Sequence, residues 1–77
     1  MKAIVHIEAY SMPAYRAIRP ALVNSQVGYL GVSGMIFSAT IDANDYAYLV
    51  AVIRQATQEG GVPPSEYSIV LMQMIRA

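Results

Sequence analysis

The chain has 77 residues, enough for one domain spanning residues 1–77 with a single small hydrophobic core. It has no cysteine and one histidine, which excludes disulfides and thiolate or multi-histidine metal sites and leaves only a carboxylate-rich metal site open. We expect no metal and no cofactor. The net charge is zero and the five basic residues are scattered without forming a run, so we do not expect nucleic acid as the principal ligand.

The first predicted element is a β-strand over residues 2–10. Its residues alternate with a period of two, as in a strand that places one face on a core and leaves the other more polar. The predicted core face consists of Ala3, Val5, Ile7 and Ala9. The opposite face consists of Lys2, Ile4, His6, Glu8 and Tyr10.

A helix is predicted to follow this strand. Ser11 is a favoured N-cap, and Pro13 is tolerated in a first turn, where its missing N–H breaks no hydrogen bond. Pro20 removes a backbone donor inside the segment, so we expect a kinked helix, or two short turns, ending near residues 24–25. The predicted inner stripe is Met12, Tyr15, Ile18 and Leu22.

Residues 27–41 predict a β-hairpin. Two runs rich in β-formers, 27–30 and 35–41, flank Ser33 and Gly34, a pair typical of a tight turn. Gly28 and Gly31 weaken the first run, so it is expected to be a short or bulged edge strand. In the second run, one face is predicted to carry Met35, Phe37, Ala39 and Ile41, and the other Ile36, Ser38, Thr40 and Asp42.

The second helix is predicted between residues 42 and 60. Asp42 is expected to cap it, with Asp45 in the first turn, where the helix dipole favours negative charge. Gly60 is the expected left-handed residue at its end. The predicted inner stripe is Tyr46, Leu49, Val50, Ile53 and Thr57.

A final strand is predicted over residues 66–76. Its apolar residues are nearly continuous, a pattern typical of a strand buried on both faces. The full order of strand, helix, strand, strand, helix, strand predicts an α+β domain of ferredoxin-like βαββαβ topology. Both helices would cover one face of an antiparallel sheet, with the first and third strands central. Oligomerisation is expected to complete the other face.

The shortage of charge predicts self-association. Charged residues make up 13% of the chain, against roughly 25% in an ordinary soluble domain, and hydrophobic residues make up 56%. So few charges cannot cover a domain that is mostly surface, and exposed apolar patches mark interfaces. We expect a homo-oligomer, most simply a dimer, with another protein as a second candidate partner. The predicted interface residues are Ile4, Ile36, Tyr67, Ile69, Met72 and Met74.

The expected location is the cytoplasm, without membrane contact. Residues 1–10 interrupt their apolar run with His6 and Glu8, unlike a signal peptide. The longest mostly apolar stretch, residues 29–41, is too short to span a bilayer.

One candidate ligand site emerges, formed by polar residues of the first and third strands. His6 and Glu8 are two apart on a strand, so their side chains point the same way, and a carboxylate beside an imidazole can prepare it as a general base. The alternative is that these residues are partly solvated and satisfy one another across an interface. The predicted site residues are His6, Glu8, Tyr10, Ser38 and Thr40.

Two functions remain open on these residues. The first is a homo-oligomeric protein-interaction module, accessory or inhibitory in type, without evident catalysis, because no nucleophile or third catalytic partner is visible. The second is a small-molecule binding protein or modest enzyme that uses an intersubunit cavity near His6 and Glu8.

Overall fold

A computed structural model describes residues 1–25 and 28–76, with only the backbone described for residues 28–30. The described residues form an α+β fold with a four-stranded antiparallel sheet and two helices, as predicted. Two short 3₁₀ turns, Ala43–Asp45 and Pro64–Glu66, precede the second helix and the last strand. The main elements are β1 (Lys2–Ala9), α1 (Met12–Ser25), β2 (Gly28–Ser33), β3 (Ile36–Asp42), α2 (Tyr46–Glu59) and β4 (Tyr67–Ile75).

The sheet has the strand order β2-β3-β1-β4, so β3 and β1 are central and β2 and β4 are edge strands. In the β1–β3 pair, Ile7 lies opposite Phe37 and Ala3 lies opposite Ile41. Residues directly opposite each other in an antiparallel pair share one sheet face. All four of these residues are buried, so this face of the sheet forms one side of the hydrophobic core.

The core lies between that sheet face and the two helices, which contribute Ala14, Ile18 and Leu22 from α1 and Leu49, Ile53 and Thr57 from α2. The alternating pattern of β1 is confirmed, since Ala3, Val5, Ile7 and Ala9 are all buried. Tyr15 stacks on Phe37 with ring centroids 5.4 Å apart, an arrangement that joins α1 to the central strand β3.

Helix α1 is continuous through Pro20, rather than broken into two turns. The missing N–H of Pro20 leaves the carbonyl of Arg16 without its helical donor. Both residues are exposed, so water can replace the lost bond. Ser11 caps the helix as predicted, because its Oγ accepts from the Ala14 N–H at 3.3 Å.

The inner stripe of α1 differs from the prediction at its first position. Met12 is exposed, whereas Ala14 is buried. At 3.6 residues per turn, Met12 lies about 120° around the helix from Ile18, but Ala14 lies only about 40° away. The small alanine therefore meets the sheet, and the large methionine is left at the flank.

Strands β2 and β3 form the predicted hairpin, with Ser33 opposite Ile36. Gly34 lies in the turn at φ +60°, a left-handed conformation that glycine adopts without steric cost. The first predicted run began at Val27, which lies outside the described residues.

Two details at the ends of α2 correct the prediction. Asp42 ends β3 and caps the 3₁₀ turn rather than α2 itself, since its Oδ1 accepts from the Asn44 N–H at 3.0 Å. The left-handed residue is Gly61 at φ +69°, not Gly60, whose φ is −83°. The reason is that the Gly60 N–H still bonds to the Ala56 carbonyl at 3.1 Å, so the chain reverses one residue later.

The second half of β4 is not buried within one chain. Ile69 packs against the core, but every residue from 70 through 75 is exposed. A β-bulge interrupts the pairing with β1, because Leu71 lies opposite Val5 while Gln73 lies opposite Ile4. The expected burial on both faces is therefore absent from this part of the strand, which lies at the edge of the sheet.

Candidate functional site

Four of the five predicted site residues lie on the open face, by which we mean the side of the sheet opposite the helices. His6 lies directly opposite Ser38 on β3. Thr40 lies two residues further along β3, on the same face as Ser38. Glu8 follows His6 on this face and lies opposite Ser68 on β4. All are half-buried, so the structure brings together an imidazole, a carboxylate and hydroxyl groups.

The fifth predicted residue, Tyr10, reaches this group from beyond the end of β1. Its hydroxyl donates to Ser68 Oγ at 2.8 Å, and its backbone N–H donates to the Glu66 carbonyl at 2.8 Å. Ser68 is thus the contact that joins Tyr10 to the neighbourhood of Glu8. Sequence reasoning missed Ser68, because it stands at the start of a mostly apolar strand and only the register with β1 identifies its neighbours.

The open face offers hydrogen-bonding groups to a small polar ligand, but it does not enclose one. Ligand sites are normally concave and bury most of the ligand, so this face needs a covering layer to exclude water. Within the described residues, no group of three or more His, Asp or Glu side chains is placed to hold a metal ion.

Two clefts lie elsewhere in the described structure, against the helices. A groove of about 450 Å³ separates α1 from α2 and includes Ala21, Tyr48, Val52 and Glu59 in its walls. A cleft of about 370 Å³ lies between α2 and β4 and includes Arg54, Thr57 and Tyr67. The hydroxyl of Thr57 donates to the Ile53 carbonyl at 2.9 Å and lies 3.3 Å from the Tyr67 hydroxyl, so it ties this part of β4 to α2.

The second half of β4 exposes several apolar side chains, which together we call the β4 strip. It occupies both sides of the sheet. Val70 and Ile75 lie on the open face, opposite His6 and Lys2, and Leu71 and Met74 lie on the helix side, opposite Val5 and Ala3. The exposed fractions of its side chains range from 37% to 54%, and its members are Val70, Leu71, Met72, Met74 and Ile75.

The predicted interface residues fall in three places. Met72 and Met74 belong to the β4 strip. Ile36 and Ile4 lie on the open face, where Ile36 is exposed and Ile4 is half-buried. Tyr67 and Ile69 are half-buried against the core, so only part of their surface remains for a partner.

A charged residue lies at each end of strand β4. Glu66 immediately precedes β4 and Arg76 immediately follows it, while residues 67–75 carry no charge and no proline. Edge strands are commonly guarded against pairing by charged residues, proline or bulges. In β4 the bulge near Met72 is the one such feature within the described strand, and the rest of the strand is uncharged.

Comparison with known proteins adds no assignment to this geometry. Within the described parts of the chain, neither helix is long and apolar enough to cross a membrane. No family model matches this chain, and no curated protein or solved structure is significantly similar to it.

Proposed function

We propose that this protein is a cytoplasmic, ferredoxin-like module that associates with itself, as a dimer, and acts by binding protein rather than by catalysis, in an accessory or inhibitory role. The observation that carries the proposal is the β4 strip. The strand order β2-β3-β1-β4 supports the ferredoxin-like assignment, because the first and third strands are central, as the βαββαβ order predicts.

The β4 strip lies on an edge strand, where a partner can reach it. Five apolar side chains within six consecutive residues are exposed on both faces of an edge strand. Removing apolar surface from water stabilises by about 25 cal/mol per Å², so covering this strand is favourable. We favour a second copy as the partner, because closed two-fold homodimers are the commonest soluble oligomers. In addition, every copy has the same low charge content and the same exposed β4 strip, and a symmetric dimer would cover the strip in both copies.

Hydrogen exchange measured at two protein concentrations tests this proposal. We expect amide exchange in residues 67–75 to slow as concentration rises, because the partner covers the strand edge in the dimer. Residues 46–59 of α2 provide an internal control and should exchange at the same rate at both concentrations. Exchange in β4 that does not depend on concentration, up to the millimolar range, would contradict self-association at this strand.

A second candidate function is a small-molecule binding protein or modest enzyme that uses the open face under a covering subunit. The observation that favours it is the register that places His6 opposite Ser38 and Glu8 opposite Ser68. A carboxylate, an imidazole and hydroxyls on one face can bind a polar ligand once water is excluded.

Thermal stabilisation by ligands tests this alternative. If small carboxylates or amines raise the melting temperature, the double change His6→Ala and Glu8→Ala should abolish the rise and leave the oligomer mass unchanged. Arg19→Ala, on the exposed side of α1, is the control and should keep the full response. A double variant that still responds like the wild type would dismiss the open face as the ligand site.

A further inference from the structure

We infer that two copies associate side by side through their β4 strands, antiparallel and about a two-fold axis near Leu71, with Glu66 of each copy close to Arg76 of the partner subunit. The inference rests on the proposed self-association and adds the surface, the orientation and the position of the axis. Three features of the described residues carry it: the exposure of β4 on both faces, the direction of its backbone groups and the charges at its ends.

Exposure on both faces favours contact along the strand over contact between sheet faces. A partner packed on the open face would cover Val70 and Ile75 but would leave Leu71 and Met74 exposed, since they lie on the helix side. A partner that lies beside β4 reaches all four side chains. The geometry therefore points to the edge of the strand as the centre of the contact.

Within the described residues β4 is an edge strand, so its backbone presents hydrogen-bonding groups on the side away from β1. The Tyr10 N–H bonds to the Glu66 carbonyl, whereas the Ala9 N–H bonds to the Met35 carbonyl at the other side of β1. Since backbone groups alternate in direction along an antiparallel strand, those of residues 67, 69 and 71 point away from β1. The bulge near Met72 then interrupts this alternation, so the backbone hydrogen bonds to the partner would not continue regularly beyond it. After the bulge, apolar side chains would make the contact.

The charges select the antiparallel orientation. Glu66 and Arg76 stand five residues before and five residues after Leu71, with only neutral residues between them. A two-fold axis at Leu71 therefore places each Glu66 beside the partner's Arg76, and it does so at both ends of the contact. A parallel arrangement would place like charges together, which opposes association.

Charge reversal tests the orientation. Dimer dissociation constants would be measured by sedimentation for the wild type, Glu66→Lys, Arg76→Glu and the double variant. We expect each single change to weaken the dimer about tenfold or more at low salt, because like charges then meet at both ends. The double change should return the constant to within about threefold of the wild type, and 1 M salt should reduce all the differences.

The outcomes separate the two proposals. A wild-type protein that stays monomeric at every concentration overturns the proposed function itself. A wild-type dimer in which the double variant is weaker than either single variant overturns only the antiparallel inference. Circular dichroism of each variant shows whether the fold is retained.

Disulfide crosslinking provides a second measurement that does not alter the charges. The chain has no cysteine, so Leu71→Cys introduces a single thiol at the proposed axis. Opposed residues of antiparallel strands have Cα atoms about 4.5–5.5 Å apart, within disulfide range, so oxidation should give a covalent dimer. Val23→Cys, on the exposed side of α1, is the control. Equal crosslinking of both variants would contradict an axis at Leu71.

Discussion

Leu71→Lys should convert the proposed dimer to a monomer, with a rise of more than about 100-fold in the dissociation constant. Leu71 lies at the proposed axis, so the substitution places two ammonium groups against each other in an apolar contact. Charges buried there lose their hydration without gaining a partner, and repel one another as well. Sedimentation equilibrium at several concentrations measures the change.

Ile36→Lys is the matched control for this prediction. Ile36 is 43% exposed and Leu71 is 42% exposed, so each variant replaces an isomeric apolar side chain of similar exposure and introduces the same charge. Ile36 lies on the open face opposite Glu8, away from the edge of β4. We expect it to leave the dimer intact. Dissociation by Ile36→Lys with retention of the dimer in Leu71→Lys would show that the open faces, not the β4 edges, form the contact.

Phe37→Ala should lower the free energy of unfolding by about 3–5 kcal/mol, the range found when a large buried aromatic side chain is truncated. Phe37 is 0% exposed, lies opposite Ile7 in the central strand pair and stacks on Tyr15 of α1. Small domains have only about 5–15 kcal/mol of stability in total. We therefore expect this variant to be largely or wholly unfolded, as measured by urea titration with circular dichroism.

Val32→Ala provides the comparison for Phe37. Val32 lies opposite Phe37 on the edge strand β2 and is 48% exposed. Because much of its side chain is already in water, its truncation should cost less than about 1 kcal/mol. Similar losses for both variants would mean that the packing of Phe37 does not hold α1 to the sheet.

The parts of the fold that sequence predicted well are those where one face is buried by the same chain. Residues 2–9 and 36–42 alternate because one side of each central strand meets the helices, so Val5 and Phe37 were placed on the core face correctly. The Ser11 cap was also predictable, since a hydroxyl that accepts from a free helical N–H is a local interaction.

The sequence predictions are wrong where two local backbone conformations have similar energies. Gly60 and Gly61 are adjacent, and only the hydrogen bond from Gly60 to Ala56 decides which of them adopts the left-handed conformation. Likewise, Asp42 could cap α2 or a 3₁₀ turn before it, and the position of the first full helical turn decides between them.

The apolar pattern of β4 shows what a sequence pattern cannot predict about burial. A continuous apolar run predicts burial, but it does not say whether the same chain or another copy provides the cover. Ile69 is covered by its own chain, whereas Leu71 is not. In the candidate site, strand parity placed His6 and Ser38 on one face, but the contact between Tyr10 and Ser68 depends on a register between distant segments, which no local pattern encodes.

The mass of the native protein in solution tests the central claim most directly. Light scattering of the wild type during size-exclusion chromatography should give twice the chain mass of 8.4 kDa at high concentration and fall toward the single-chain value on dilution. A particle of 8.4 kDa that persists at the highest concentration reached would contradict the account, because the β4 strip would then remain in contact with water.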